Sequence, residues 1–306
     1  MGTTWNVQIA GTQGAPATAM GEQLQSSLER LDRKIFSTYS ATSELSLLNE
    51  TAMGVPVNVS PELLEVLVLA RTLNVDSQGA FDITVGPLVN LWGFGPDGPA
   101  TLPTDEAIQA ARNRLGMQYL QLDVDRGIVI RQHDIQLDLS AIAKGYAVDV
   151  IAEQLEAAGL HDYLVEIGGE IRVSGNKGRD QSWQIAIETP TDGPRQAYLT
   201  LANNNQPMAL AGSGDYRNYR EWNAARYSHE IDPRTGKPIT HTLAAVTVVA
   251  QSAALADAWA TALFVQGPEE GLSMANSLGL AAYFIMHADQ GLVSGSSQLF
   301  KERFGR

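Results

Sequence analysis

Apolar and polar positions alternate in two different rhythms along this chain. Val7 and Ile9 stand between polar neighbours, the period of a first strand. Met20, Leu24, Leu28, Leu31 and Ile35 then recur three and four residues apart, which predicts an amphipathic helix. Ser60-Pro61-Glu62 combines an N-cap, a proline at the first helical position and an early acid, so a second helix begins there and runs to about Gln78. Thr104-Asp105-Glu106 opens a third, ending near Gly116. Leu120-Leu122 and Ile128–Ile130 read as a hairpin. A helix over Ala143–Ala158 stops at Gly159, and strands follow at Leu164–Ile167, Ile171–Val173, Trp183–Ile187 and Tyr198–Leu201. The strand Val246–Val249, helices over Ala253–Val265 and Glu269–Leu278, and a hairpin of Tyr283–Met286 with Gly291–Val293 complete the pattern. Hairpins outnumber strand–helix–strand crossovers, which predicts an α+β fold with antiparallel-rich sheets and packed helices. With no internal repeat and no clean linker, the expectation is one domain over 1–306, with room for two lobes.

Composition narrows the function. A hydrophobic content of 44% suits a sizeable core. The formal net charge of −13 disfavours a nucleic-acid partner and means that an anionic ligand needs a local cation. The absence of cysteine excludes disulfides, zinc thiolates and thiol nucleophiles. No run of about 18 apolar residues is present, and no signal peptide is visible.

Four segments carry candidate chemistry. Gly93-Phe94-Gly95-Pro96-Asp97-Gly98 has the glycine spacing of a dinucleotide loop, but no clear strand precedes it and Pro96 and Pro99 interrupt the expected helix start. Asp257 and Thr261 lie four apart on one helix face, either as hard oxygen ligands for Mg²⁺ or Ca²⁺ or as a polar patch on an apolar helix. From Leu137 to Asp149, an acid at a strand end (Asp138) leads into a helix with Lys144 in its first turn. This suits a phosphate, although a plain strand–helix junction would look the same. His229, within Ser228-His229-Glu230-Ile231-Asp232-Pro233, alone among the five histidines has polar surroundings rich enough for a general base; a hydrogen-bonded loop histidine is the competing reading. Asp232 to Gly236 reads as a turn.

Taken in order, these segments resemble the ApbE family of FAD:protein FMN transferases. The matching blocks are Met1–Thr4, Phe36–Tyr39, Phe81–Val89, Asp138–Asp149, Gly168-Gly169, Gly214–Tyr216, Ser228–Pro233 and Ala256–Phe264. The resemblance implies a T-fold-like architecture, FAD as substrate and Mg²⁺ as cofactor. It further implies a metal held by Asp257, Thr261 and the backbone oxygens of Ala141 and Ala260. FAD would contact Met1, Tyr39, Ala80, Phe81, Asp82, Asp138, Ala147 and Ile231, with Lys144 as the phosphate candidate and Tyr39 suited to stacking on a flat ring. His229 and Asp257 would be catalytic.

The expected reaction moves FMN from FAD to a threonine hydroxyl of an acceptor flavoprotein and releases AMP. The alternatives are a metal-dependent FAD hydrolase and a non-catalytic flavin-binding protein. The family also implies an acceptor that is a membrane redox-pump subunit, and a periplasmic location or one at the outer face of the inner membrane. Two departures stand out. The first family block usually follows a lipoprotein signal, yet here it is residue 1, so the expectation is a trimmed or naturally short chain, tied to a membrane only through a missing N-terminal lipid anchor. Ser140 also replaces a glycine common in the family.

Overall fold

The computed structural model describes residues 2–306 apart from 12–14, 97–101, 180, 192, 216–218 and 223–224; the side chains of 15–17, 219, 221, 222, 225 and 226 are also left aside. Two compact units emerge. The first comprises Met1–Glu29, Ile142–Arg217 and His241–Arg306, and the second comprises Arg30–Ala141 and Asn218–Thr240.

The first unit is built on a seven-stranded antiparallel sheet among the described residues. Its spatial order is Trp5–Ile9, Tyr163–Ile167, Glu170–Ser174, Met208–Gly214, Leu243–Ala250, Ala281–Ala288 and Gly291–Ser296. Leu243–Ala250 is buried along almost its whole length, as a central strand covered on both faces should be. The Ala253–Gln266 helix packs on Met208–Gly214 and Leu243–Ala250, and against the Ala143–Ala157 helix. Elsewhere Val249, Tyr283 and Ile285 join Trp183, Leu201 and Phe300 in a separate core cluster, to which the hairpin Gln184–Glu188 with Ala197–Ala202 contributes.

Register at one turn matters for the site. Ile167 pairs with Glu170, so Gly168 and Gly169 alone connect the two strands. Both take positive φ, +69° and +111°, which a two-residue hairpin loop requires and glycine accepts without strain.

The second unit holds a three-stranded antiparallel sheet in the order Val57–Asn58, Ile128–Arg131, Leu120–Asp123. The Pro61–Asp76 helix contributes Leu63, Val66 and Leu67 to its core. Ser60 caps that helix as predicted, its hydroxyl accepting the Leu63 N–H at 3.3 Å. The predicted α+β class and antiparallel sheets are both present.

Several elements were not foreseen. Met208–Gly214 reads Met-Ala-Leu-Ala-Gly-Ser-Gly, with no β-branched residue; pairing on both edges makes it a strand. The helices Glu44–Glu50, Gly86–Leu91 and Gln298–Phe304 are too short for a periodic signal. The third predicted helix ends at Arg112, earlier than Gly116. Among the described residues no helix is long and apolar enough to cross a membrane.

Candidate active site

The Ala253–Gln266 helix is apolar around most of its circumference and correspondingly buried. Asp257 is its one charged residue and is only 3% exposed. A buried carboxylate needs compensation, and two neighbours on the Ala143–Ala157 helix supply it. Gly145 N–H donates to Asp257 Oδ2 at 3.1 Å, and Lys144 Nζ stands 3.4 and 3.5 Å from the two carboxylate oxygens. Lys144 Nζ also lies 3.3 Å from Oε1 of Glu170, which the Gly168-Gly169 turn delivers at the start of its strand. One helical turn beyond Asp257, Thr261 Oγ1 comes within 3.2 Å of Ser213 Oγ on the Met208–Gly214 strand. The predicted i,i+4 pair therefore faces a built polar environment.

Charge is concentrated here. Burial would lower the Lys144 ammonium, but Asp257 and Glu170 outweigh it and hold it above its ordinary value. Burial pushes the Glu170 carboxyl up to about 7, with Asp257 adding to the rise and Lys144 opposing it. Glu170 Oε2 is buried without a hydrogen-bond partner among the described residues.

A second network aims the helix. Asp149 accepts the N–H of Ala253 and of Ala254, each at 2.9 Å, while Ser252 Oγ accepts the Leu255 N–H at 3.2 Å. These bonds satisfy donors that a helix start leaves open and place a carboxylate at its positive end. Arg172 holds Asp149 at 3.0 Å and Glu156 at 3.1 Å, and Tyr163 donates its hydroxyl to Glu156. Desolvation raises the Asp149 carboxyl above its ordinary value, against the lowering effect of these same donors. The two helices approach so closely that a Cβ on Gly145 would sit 2.2 Å from the Ala253 carbonyl oxygen. Only glycine allows the main-chain contact to Asp257. Ala147 and Ala260 are fully buried on these two helices.

In the second unit the remaining candidates form two groups. Asp138 N–H donates to the Ile83 carbonyl at 2.7 Å, and its Oδ1 accepts the Ser140 N–H at 2.7 Å. Asp82 Oδ1 accepts the Thr84 N–H at 2.8 Å and the Thr84 hydroxyl at 2.6 Å, while burial raises its carboxyl above the ordinary range. Ala80 and Phe81 are 1% and 2% exposed, so they support the Asp82 segment from inside the core. Asp138 also lines a half-open cleft of about 130 Å³ with Thr38, Asn49, Glu50, Asn90 and Gln136.

The other group gathers around Phe94. Tyr39, 72% exposed, donates its hydroxyl to the Phe94 carbonyl at 3.3 Å. The half-buried His229 meets the Phe94 ring edge-on at 6.3 Å, and its Nε2 lies 3.6 Å from Glu230 Oε1. Arg220 stands 5.8 Å over the same ring. Ile231 is buried against Leu88, Trp92 and Ile108. The turn read at Asp232–Gly236 is present, with Gly236 N–H donating to the Asp232 carbonyl at 2.7 Å. Ala141 is the last residue of its segment in this unit, whereas Asp257, Ala260 and Thr261 belong to the first. Met1, and Tyr216 of the glycine-rich block, lie outside the described residues.

The donors around Asp257 fit a magnesium ion. They are hard oxygens, from Asp257 and Thr261 with Glu170 and Ser213 beside them, and one buried carboxylate oxygen lacks a partner. Among the described residues no group of three or more His, Asp or Glu forms a cage, and Mg²⁺ is ordinarily held by one or two carboxylates with substrate phosphates.

The ApbE family profile matches residues 1–284. The chain belongs to the ApbE family. A relative from Haemophilus influenzae, called FAD:protein FMN transferase, is 42% identical over 99% of this chain and 89% of its own length. The crystal structure of Pseudomonas stutzeri flavinyl transferase ApbE, apo form, superposes with a TM-score of 0.90 at 39% identity, covering 100% of this chain and 95% of that one. The flavin transferase ApbE from Vibrio cholerae gives 0.89 at 38% identity, covering 99% and 96%.

Within this ApbE-family chain, sequence reasoning names Asp257, Thr261, Lys144 and His229 as candidates, and the structure adds Glu170 beside Lys144, Arg172 beside Asp149 and Phe94 beside His229. Glu170 directly follows the recognised Gly168-Gly169 pair, the signal that could have found it.

Proposed function

We propose that this chain transfers the FMN moiety of FAD to a threonine hydroxyl of an acceptor flavoprotein, releasing AMP. The observation that carries the reading is the buried Asp257 carboxylate one helical turn from Thr261, in a chain whose relatives at 36–42% identity bear that activity in their names. Asp257, Thr261 and the backbone oxygens of Ala141 and Ala260 would hold Mg²⁺, which would supply positive charge to the phosphate oxygens. Lys144 adds a cation beside Asp257 for the same anion. In the second unit Tyr39 offers an exposed ring for stacking on the flavin, and Asp82, Asp138 and Ile231, backed by Ala80 and Phe81, shape the remaining FAD contacts. Ala147 and Met1 complete the proposed FAD set.

The threonine oxygen bonds to the FMN-side phosphorus as the bond to the AMP oxygen breaks, and AMP leaves with that oxygen. His229, whose Nε2 lies 3.6 Å from Glu230 Oε1, accepts the hydroxyl proton. We place the reaction in the periplasm or at the outer face of the inner membrane, with a membrane redox-pump subunit as acceptor.

Incubating the chain with FAD, Mg²⁺ and such an acceptor domain tests this. A fluorescent acceptor band on a denaturing gel, lost with chelator and accompanied by AMP, is expected. Free FMN and AMP without a band would mark a hydrolase, and unchanged FAD a binding protein.

A further inference from the structure

We propose that Lys144 is a resident counter-ion of Asp257 that yields its place to the divalent cation, and that Glu170 is the positioning residue that takes over the displaced ammonium. This rests on the metal assignment above. Lys144 Nζ is 3.4 and 3.5 Å from the Asp257 oxygens and 3.3 Å from Glu170 Oε1. All three distances exceed the usual N–H···O separation of about 2.9 Å, so the ammonium is shared between the two carboxylates. The two carboxylates are 5% and 4% exposed and Lys144 26%, which makes the flexible lysine the member able to move.

A buried carboxylate stripped of its cation is costly, so entry of a metal at Asp257 is an exchange of one positive charge for another. The leaving ammonium faces the same cost unless another acceptor is ready. Glu170 provides it, because Oε1 already touches Nζ and Oε2 is buried without a partner. Handed to Glu170, Lys144 keeps its charge beside the metal, where it can meet a substrate phosphate. Glu170 acts through Lys144 and contacts neither substrate nor reacting atoms.

Binding of Mn²⁺, followed by the electron paramagnetic resonance of the free ion, tests this on the full chain without FAD. Lys144→Met removes the competitor and tightens Mn²⁺ binding about fivefold or more, the lower range of ordinary coupling between sites. Glu170→Gln weakens it by a similar factor, but by less than about twofold in the Lys144→Met background, because residues acting as a unit are non-additive. Lys144→Arg, which keeps a positive charge beside Asp257, does not show the tightening seen in Lys144→Met. Unchanged or weaker binding in Lys144→Met, or an equal cost of Glu170→Gln in both backgrounds, overturns the exchange. Lys144→Gln replaces Lys144→Met if the latter does not fold, with the same shifts expected. Asp257→Ala is the separate check: Mn²⁺ binding that survives it defeats the metal assignment itself.

Discussion

Asp257 in the first unit is 3% exposed, receives a main-chain N–H and shares an ammonium with a second buried carboxylate. His229 in the second unit keeps 29% of its side chain exposed, at the end of a short strand, with its ring against the edge of Phe94. One group is fixed by helix packing and ion pairing; the other is partly exposed against an aromatic ring. The contrast matches the tasks assigned to them. A hard cation needs a set of oxygens fixed before it arrives, whereas a proton acceptor must meet a hydroxyl on a macromolecule of variable approach.

The largest effect should come from the rigid side. Asp257→Ala is expected to reduce transfer by about 10⁴-fold or more, since several kcal/mol of charge stabilisation vanish with the ligand. Mg²⁺ titration of the remaining rate should show no saturable activation, and normal activation would break the contrast at its root. His229→Ala should slow transfer by about 10²–10⁴-fold while FAD affinity, read by flavin fluorescence, stays near the parent value. Lost affinity with unchanged turnover would make His229 a positioning residue instead.

Next comes the support behind Asp257. Removing Asp149 leaves Arg172 paired with Glu156 alone and opens the helix start, so Asp149→Ala should cost about 3 kcal/mol in urea unfolding. Asp149→Asn, which keeps an acceptor oxygen, should lose less; equal losses would show that the cap matters little.

The smallest effect concerns His241, whose Nε2 lies 2.7 Å from the Phe264 carbonyl near the end of the same helix. Burial holds its ring below the ordinary value of 6.5. The unfolded chain therefore binds the proton more readily than the folded one, and this group's stability contribution, full above 6.5, is lost as pH falls through the window beneath it. His241→Gln should flatten that part of the urea-midpoint profile between about pH 7 and 5.

What the sequence made readable follows from the range of each signal. Caps and periodicity are local, so Ser60-Pro61, the Leu120 and Ile128 hairpin and the Ala253 helix could be placed within a few residues. Asp257 and Thr261 were legible as a pair because four residues of helix put them on one face. Glu170 was not, since its proximity to Lys144 depends on sheet pairing and helix docking across distant segments. Phe94 sat inside a glycine run set aside as a failed dinucleotide loop, and its link to Tyr39 spans 55 positions. The Met208–Gly214 strand has no propensity of its own and exists because its neighbours on both sides demand it.

The turn at Gly168-Gly169 acts as a ruler. Side chains on a strand alternate between faces with a period of two, so the loop length decides which face each residue of Glu170–Ser174 presents. One residue more after the turn, with the two-residue loop kept, would shift Glu170 one place along the strand and onto its other face, away from Lys144, without altering a single charged side chain. Comparisons among relatives that count only acids and lysines would miss such a change, and the spacing between the two strands is the character to read.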